Sequence, residues 1–326
     1  DRGAGEHHGL FDTIRGPLMR LTSDYNYAST SRANTVTSFN YNGVTLGSAG
    51  EYNGNNDPIV CWSWKAGGSK NTFNVDDVGY ASAAAAGLDG GDLTVTGASV
   101  GTKQGFSIIK YTGSGNAGDS ASHGLLEAPK FIITKNIDNG TYSWRVFTTV
   151  IDGSNDRLFL DGTNAKADQT DAPVPTSSVF YVGANLDHNK ANDNIIAYLW
   201  HDVPGLQKFG SYIGNGNTSD DGPFIELGFR PAIIWFKRTE DTGSYNWNCY
   251  DTTRSNTGNP TNEVIRLNLS NIEEANYGNG DIDVLANGFK IRNYWANVNA
   301  ASKSYIYCAW AEAPAFNLYG GQSNAR

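Results

Sequence analysis

The residues able to do chemistry are few and scattered. His7-His8 is the only adjacent histidine pair, and a zinc site would need further ligands at workable geometry. None lies near in sequence, so the pair reads as exposed loop histidines. His123, His188 and His201 fall at unrelated positions and form no constellation. The carboxylate pairs Asp76-Asp77 and Glu273-Glu274 could serve a glycosidase only if two carboxylates faced each other across a sugar. Neighbours on a strand project to opposite faces, so both pairs read as solvated loop charges. Two oxygen-rich loops, Asn185–Asn194 and Asp138–Gly140, have the ligand type calcium prefers. They lack the Asp-x-Asp-x-Asp-Gly spacing, and Lys190 interrupts the longer one, so turn chemistry is the reading. Gly113-Ser-Gly115 and Gly214-Asn-Gly216 resemble pieces of a phosphate loop, but no Gly-Lys-Ser/Thr follows and no helix opens there. A Gly-x-Ser-x-Gly elbow with a histidine partner is absent. The expectation is a protein that is not an enzyme and holds no metal and no cofactor.

Aromatic residues carry more information. Of the eight tryptophans, Trp62, Trp64, Trp144, Trp200, Trp235, Trp247 and Trp310 largely recur at equivalent places, which favours packing. Trp295 does not. It stands in Asn293-Tyr-Trp-Ala-Asn297, a loop before the last strand. An aromatic ring on a loop can stack on the apolar face of a sugar. Asn293, Tyr294, Trp295 and Asn297 are therefore the candidate binding residues, against the alternative that Trp295 folds onto its own domain.

The recurrence defines the organisation. Pro58-Ile-Val-Cys-Trp-Ser-Trp64, Asn194-Ile-Ile-Ala-Tyr-Leu-Trp200 and Ser304-Tyr-Ile-Tyr-Cys-Ala-Trp310 are apolar runs closed by Trp. Each follows an Asn-rich loop and an upstream strand: Gly43–Leu46, Val179–Val182 and Gly288–Ile291. Ala128-Pro-Lys-Phe-Ile-Ile-Thr-Lys135 matches Arg230-Pro-Ala-Ile-Ile-Trp-Phe-Lys237, and Leu10-Phe-Asp-Thr13 matches Val146–Thr149 and Cys249–Thr252. The unit is roughly a hundred residues long, one domain in size. Residues 105–206 and 207–316 are complete units, and 1–67 carries the second half of one. A bridge spans 68–104, with a short edge strand near 71–77, one helical turn or an extended path at 81–87, and a strand at 93–96. A polar arm spans 317–326. Short β-branched and aromatic strands between Gly/Asn turns predict an all-β chain of tandem antiparallel sandwiches, jelly-roll-like. In the terminal strands Trp62 and Trp64 share a face, as do Tyr198 and Trp200, turned either into the core or outward as a platform.

Composition agrees. The chain has 38 Gly, 12% aromatic residues and only 17% charged residues. A net charge of −9 with no Lys/Arg cluster leaves no nucleic-acid footprint. No apolar run is long enough for a membrane span, and no signal peptide precedes Leu10. Cys61, Cys249 and Cys308 give an odd count without a Cys-x-x-Cys, which reads as buried free thiols folded in a reducing cytoplasm. The chain begins with Asp1, the mark of a fragment, a processed product or the ordered part of something longer.

The order Phe106-Ser-Ile-Ile-Lys-Tyr-Thr-Gly113, His123-Gly-Leu-Leu-Glu-Ala-Pro-Lys-Phe-Ile-Ile133, a Trp-containing strand and a Trp-ended strand resembles a repeat family in structural proteins of tailed phages of cyanobacteria and other aquatic bacteria. Trp62–Asp77 and Asn317–Arg326 are similar to that family too. The second unit departs from it, with Gly222–Arg230 in place of the His-Gly-Leu turn. The resemblance implies a virion protein of tail-fibre, appendage or capsid-decoration type. It would be made in the host cytoplasm and displayed on the virion surface after lysis. A homo-oligomer, trimer favoured, would cover strand edges. Other virion proteins and a host-surface glycan are the expected partners, with neither nucleic acid nor membrane insertion. The alternatives are a carbohydrate-binding module array and a phage polysaccharide depolymerase.

Overall fold

The computed structural model describes residues 3, 5–241, 243, 245–254, 258–274 and 282–311. Strands dominate, and the fold is the antiparallel all-β sandwich class that the sequence predicts. The first segment holds β1 (Gly9–Leu10), β2 (Met19–Thr22), β3 (Thr30–Ser31), the hairpin β4 (Val36–Asn40) and β5 (Gly43–Leu46), and one helical turn, α1 (Gly50–Asn53). The bridge supplies β6 (Phe73–Val75), β7 (Val78–Tyr80) and β8 (Val95–Gly101). A 3-10 turn at Ala84–Ala86 ends on Gly87, whose φ of 69° suits a residue without Cβ.

The next unit runs β9 (Phe106–Thr112), β10 (Ser120–Ser122), β11 (Phe131–Asn136), β12 (Arg145–Thr148), β13 (Asp156–Phe159), β14 (Ala167–Asp168), β15 (Val179–Tyr181), α2 (Leu186–Asn189) and β16 (Asn194–Trp200). The last has β17 (Gln207–Ile213), β18 (Phe224–Glu226), β19 (Ile233–Arg238), β20 (Asn248–Asp251), β21 (Ile265–Arg266), β22 (Ile282–Leu285), β23 (Gly288–Ile291) and β24 (Ser304–Trp310). The bridge strands extend the first large sheet, in the order β14-β13-β12-β11-β16-β9-β8-β6-β7. The second large sheet is β17-β24-β19-β20-β21.

Each large sheet is buried on both faces, which explains why its central strand is apolar throughout rather than alternating. On β16, Ile195, Ala197 and Leu199 face the small sheet β10-β15, packing with Phe180 and Val182. On β24, Tyr307 and Ala309 pack with Phe289 and Ile291 of the small sheet β18-β23-β22. The opposite faces, Ile196, Tyr198 and Trp200 on one sheet and Ile306, Cys308 and Trp310 on the other, meet in one shared apolar centre. Core and outward platform are thus the same row: it points out of its own sandwich and into its neighbour.

The first segment closes this arrangement into a ring of three equivalent contacts. Gly9, Arg145 and Asn248 pair with Thr22, Phe159 and Arg266 at the same place in their ribbons. The residue before each donates a ring N–H to the next ribbon. Trp144 Nε1 reaches Thr22 O (2.8 Å), Trp247 Nε1 reaches Phe159 O (2.7 Å) and His8 Nε2 reaches Arg266 O (3.0 Å). The Trp-ended runs converge at the middle, where the Trp310 ring lies 5.3 Å from Trp64 and 6.1 Å from Trp200. Edge-to-face geometry at these distances suits the ring quadrupoles.

Two sequence expectations are corrected. Pro58–Trp64 is extended but forms no strand, and its backbone makes no ladder among the described residues. In the complete units the equivalent strand lies between β9 and β11, or β17 and β19, and 1–67 has no counterpart of either. Cys61 is exposed as a consequence, while Cys249 and Cys308 are buried as small hydrophobes. The bridge strand expected at 93–96 runs over Val95–Gly101, because β8 continues along β9 as a sheet neighbour. The arm 317–326 lies outside the described residues.

Candidate functional site

The Asn-rich loops prove to be one device used three times. Asn53, Asn189 and Asn299 each donate a side-chain amide to the carbonyl six residues upstream, Gly47 O (2.9 Å), Gly183 O (2.9 Å) and Asn293 O (2.7 Å). Asn189 and Asn299 also clamp the Gly-x-Gly loops, accepting from Ser114 N and Asn215 N at 2.8 Å each. These loops therefore stitch strand ends together, which accounts for their glycines without any phosphate.

Within this device Asn293, Tyr294, Trp295 and Asn297 have different roles. Asn293 Oδ1 accepts Trp295 N–H (3.0 Å), an Asx turn, and Asn297 Oδ1 accepts Asn246 N–H (3.0 Å). Both asparagines are buried. Trp295 O accepts N–H groups from Val298 and Asn299, the position that Asn185 and Ala49 hold before α2 and α1. Its ring packs, half-buried, on the second sandwich core, with the Arg266 guanidinium 6.0 Å from its centroid. Tyr294 alone of the four is turned outward, 47% exposed.

The titratable candidates disperse into structural work. Asp76 accepts from Thr102 and Asp77 from Lys65, while Glu273 pairs with Arg254 and Glu274 with Arg266. Neither pair faces across a gap. In the loops considered for calcium, Asp138 accepts from Asn194 and Asp193 pairs with Lys190, so their oxygens are spent on their own turns. Burial pushes His123 down to about 4 and His188 down to about 3, so both are neutral imidazoles in the fold. Lys135 and Lys237 occupy the same position on β11 and β19 and are fully buried. Burial pushes them down to about 8 and about 7. Their ammonium groups donate to backbone carbonyls, Tyr142 O (2.8 Å) and Arg238 O among them, rather than opening on a cleft. Lys166 sits among Asp152, Asp156 and Asp168 at 2.6, 2.8 and 3.3 Å, filling with its own charge the one carboxylate cluster found among the described residues.

Two features escaped the sequence reading. One is a repeated Asp-x-x-Arg turn. Asp12 Oδ1 accepts the N–H groups of Ile14 and Arg15, and its Oδ2 takes Arg15 Nε at 2.6 Å. Asp251 and Arg254 repeat every bond. A neighbouring segment completes each: Tyr198 Oη donates to Asp12 (2.7 Å) and Trp62 Nε1 to Asp251 (3.1 Å). Burial pushes the Tyr198 phenol well up, fixing it as a donor. The spacing of Asp and Arg was a readable signal; the partners from other segments were not.

The other is an aromatic surface at the first segment. Tyr25 and Tyr27, 46% and 43% exposed, lie 4.2 Å apart between ring centroids and 31° from parallel. His7 meets both edge-on at 5.9 and 5.8 Å and is tied to Asp24 at 2.5 Å. A cleft of ≈ 260 Å³ opens beside Tyr27, lined by Arg20, Leu21, Thr22, Ala28 and Thr30. An alternating Tyr-x-Tyr in a short loop was visible in the sequence, but no repeat marks it.

Fold and site together define an all-β protein with a shared aromatic centre and a half-exposed tyrosine surface. The chain belongs to a domain family of unknown function, DUF7483, whose profile matches residues 1–314. No curated protein and no solved structure matches it.

Proposed function

We propose that the chain is a structural protein of a tailed-phage virion, a tail fibre, appendage or capsid-surface decoration, that assembles as a homo-oligomer and adheres to the host through surface loops. The motif resemblance supports the location. The observation that carries the assembly is the edge of β17. Its counterpart β9 is covered by β8, whereas the outer edge of β17 meets only a single bridge, Val203 with Gln207, among the described residues. Asp202 Oδ1 caps only its start, at Phe209 N–H (2.8 Å), and Ile213 at its far end is 60% exposed. The far half of the edge, residues 211–213, is open, and an open strand edge is a template for pairing with another chain. Trimerisation covers three such edges at once, and the virion surface is where such a protein is displayed.

Light scattering during size exclusion tests this reading. The expected result is a trimer or larger assembly that Ile213→Lys weakens. A second reading, a carbohydrate-binding module acting as a monomer, is favoured by the Tyr25–Tyr27 surface, and a clean monomer would move it forward.

A further inference from the structure

We infer that the cleft beside Tyr27 is a binding subsite for a neutral hexopyranose ring of a surface polysaccharide. The inference rests on the adhesion reading above and gives that adhesion a ligand class. Sugars present an apolar C–H face and a rim of hydroxyl groups, and a site for them needs a flat aromatic surface next to fixed polar groups. Tyr27 lines the cleft and supplies the surface, with the Tyr25 ring packed against it at 4.2 Å. Thr22 supplies an unsatisfied polar group: the residue is 1% exposed, lines the cleft, and its Oγ1 has no hydrogen-bond partner. A buried hydroxyl left unpaired is costly, and a ligand hydroxyl would relieve it on rotation of the Thr22 side chain toward the cleft.

The surface is held before any ligand arrives. Trp144 Nε1 donates to Tyr25 O (3.1 Å) as well as to Thr22 O, and Ser29 N–H donates to Ile137 O (2.9 Å). The loop 25–29 is thereby fastened to the neighbouring unit at both ends, which lowers the ordering cost of binding. Charge decides the class of sugar. Arg20 and Arg32 both pair with Glu51, at 3.5 and 2.5 Å, and Asp24 is engaged by His7. Arg20, the cation lining the cleft, already faces the Glu51 carboxylate, which an acidic ring would have to approach, so the site favours neutral rings over acidic ones. Its volume, ≈ 260 Å³, falls below the about 300–1,000 Å³ of drug-sized sites. One or two rings fit, and useful adhesion then requires many copies acting together.

The test is ligand-observed NMR with the intact protein and a panel of cello-, malto-, manno- and chito-hexaose, with oligogalacturonate as the acidic counterpart. At least one neutral oligomer is expected to bind with a dissociation constant of about 0.1–10 mM. Tyr27→Ala, at an exposed position, weakens that binding at least about ten-fold, while Leu126→Ala, at an exposed position away from the cleft, leaves it unchanged. Thr22→Val weakens it about three- to ten-fold with an unchanged or higher melting temperature, since it removes a hydroxyl that had no partner. The proposal is overturned if no neutral oligomer binds at about 10 mM, if oligogalacturonate alone binds, or if Tyr294→Ala abolishes binding that Tyr27→Ala spares. The mass in solution is a separate readout. A failure here leaves the assembly reading standing, and a monomer that binds through Tyr27 leaves the subsite standing.

Discussion

Replacing Asp12 by Ala should unfold the ring from its first segment. The Asp12 carboxylate accepts four hydrogen bonds, from two backbone N–H groups, from Arg15 Nε and from Tyr198 Oη. The Arg15 side chain is 2% exposed and keeps only neutral partners, Met19 O, Leu10 O, Ser29 Oγ and Tyr198 Oη, once the carboxylate is gone. Breaking a buried pair by removing one partner costs about 3–5 kcal/mol, because the other charge is left uncompensated. Tyr198→Phe removes one bond without a cavity and costs about 1 kcal/mol. The two sites lie in different segments of the chain yet share a bond, so the double variant should cost less than the sum, with a coupling of about 0.5–3 kcal/mol. Equilibrium urea denaturation followed by tryptophan fluorescence reads all three values, in a single transition. A cost below about 1 kcal/mol for Asp12→Ala, strict additivity, or a first segment that melts separately would refute a shared core.

Three further outcomes follow from the same geometry. Trp247→Phe strips Phe159 O of its indole donor and should lower stability by about 1–3 kcal/mol, as should Trp144→Phe at the equivalent contact, measured by thermal melting. His123 and His188 have folded values depressed to about 4 and about 3. The unfolded chain therefore binds more protons, and stability should be complete above about pH 6.5 and fall steadily as pH drops toward 4 and 3. Denaturation midpoints that stay flat between pH 7 and 4.5 would contradict this. Burial pushes Asp161 up to about 6, so its ionisation disfavours the fold as pH rises through about 4 to 6. Asp161→Asn should raise the melting temperature at pH 7–8 and change it little near pH 4, with an effect of up to about 3 kcal/mol.

The strands were legible because each carried its own apolar or aromatic run between Gly and Asn turns. Those of β9, β11, β16, β19 and β24 appear within a residue or two of their expected ends. What could not be read was how the units meet. Alternation showed that Tyr198 and Trp200 share a face, but a face buried against a neighbouring unit and a face exposed as a platform have the same pattern. Pro58–Trp64 misled for a related reason. Its composition is that of a central strand, and a strand exists only where neighbours supply the ladder. The loop 293–297 was chosen because Trp295 broke the repeat. In the fold that tryptophan opens a turn, at the place Ala49 and Asn185 hold before α1 and α2, with its ring turned inward, and only Tyr294 faces out. The Asp12–Tyr198 and Asp251–Trp62 bonds join residues 186 and 189 apart in sequence, beyond any local pattern.

The assembly reading stands or falls on the mass of the purified protein in solution, measured by light scattering during size exclusion at about micromolar concentration, where specific interfaces of standard size persist. The account predicts a stable trimer or higher assembly. A monomer that stays monomeric as concentration rises would contradict it and leave a single carbohydrate-binding module in its place.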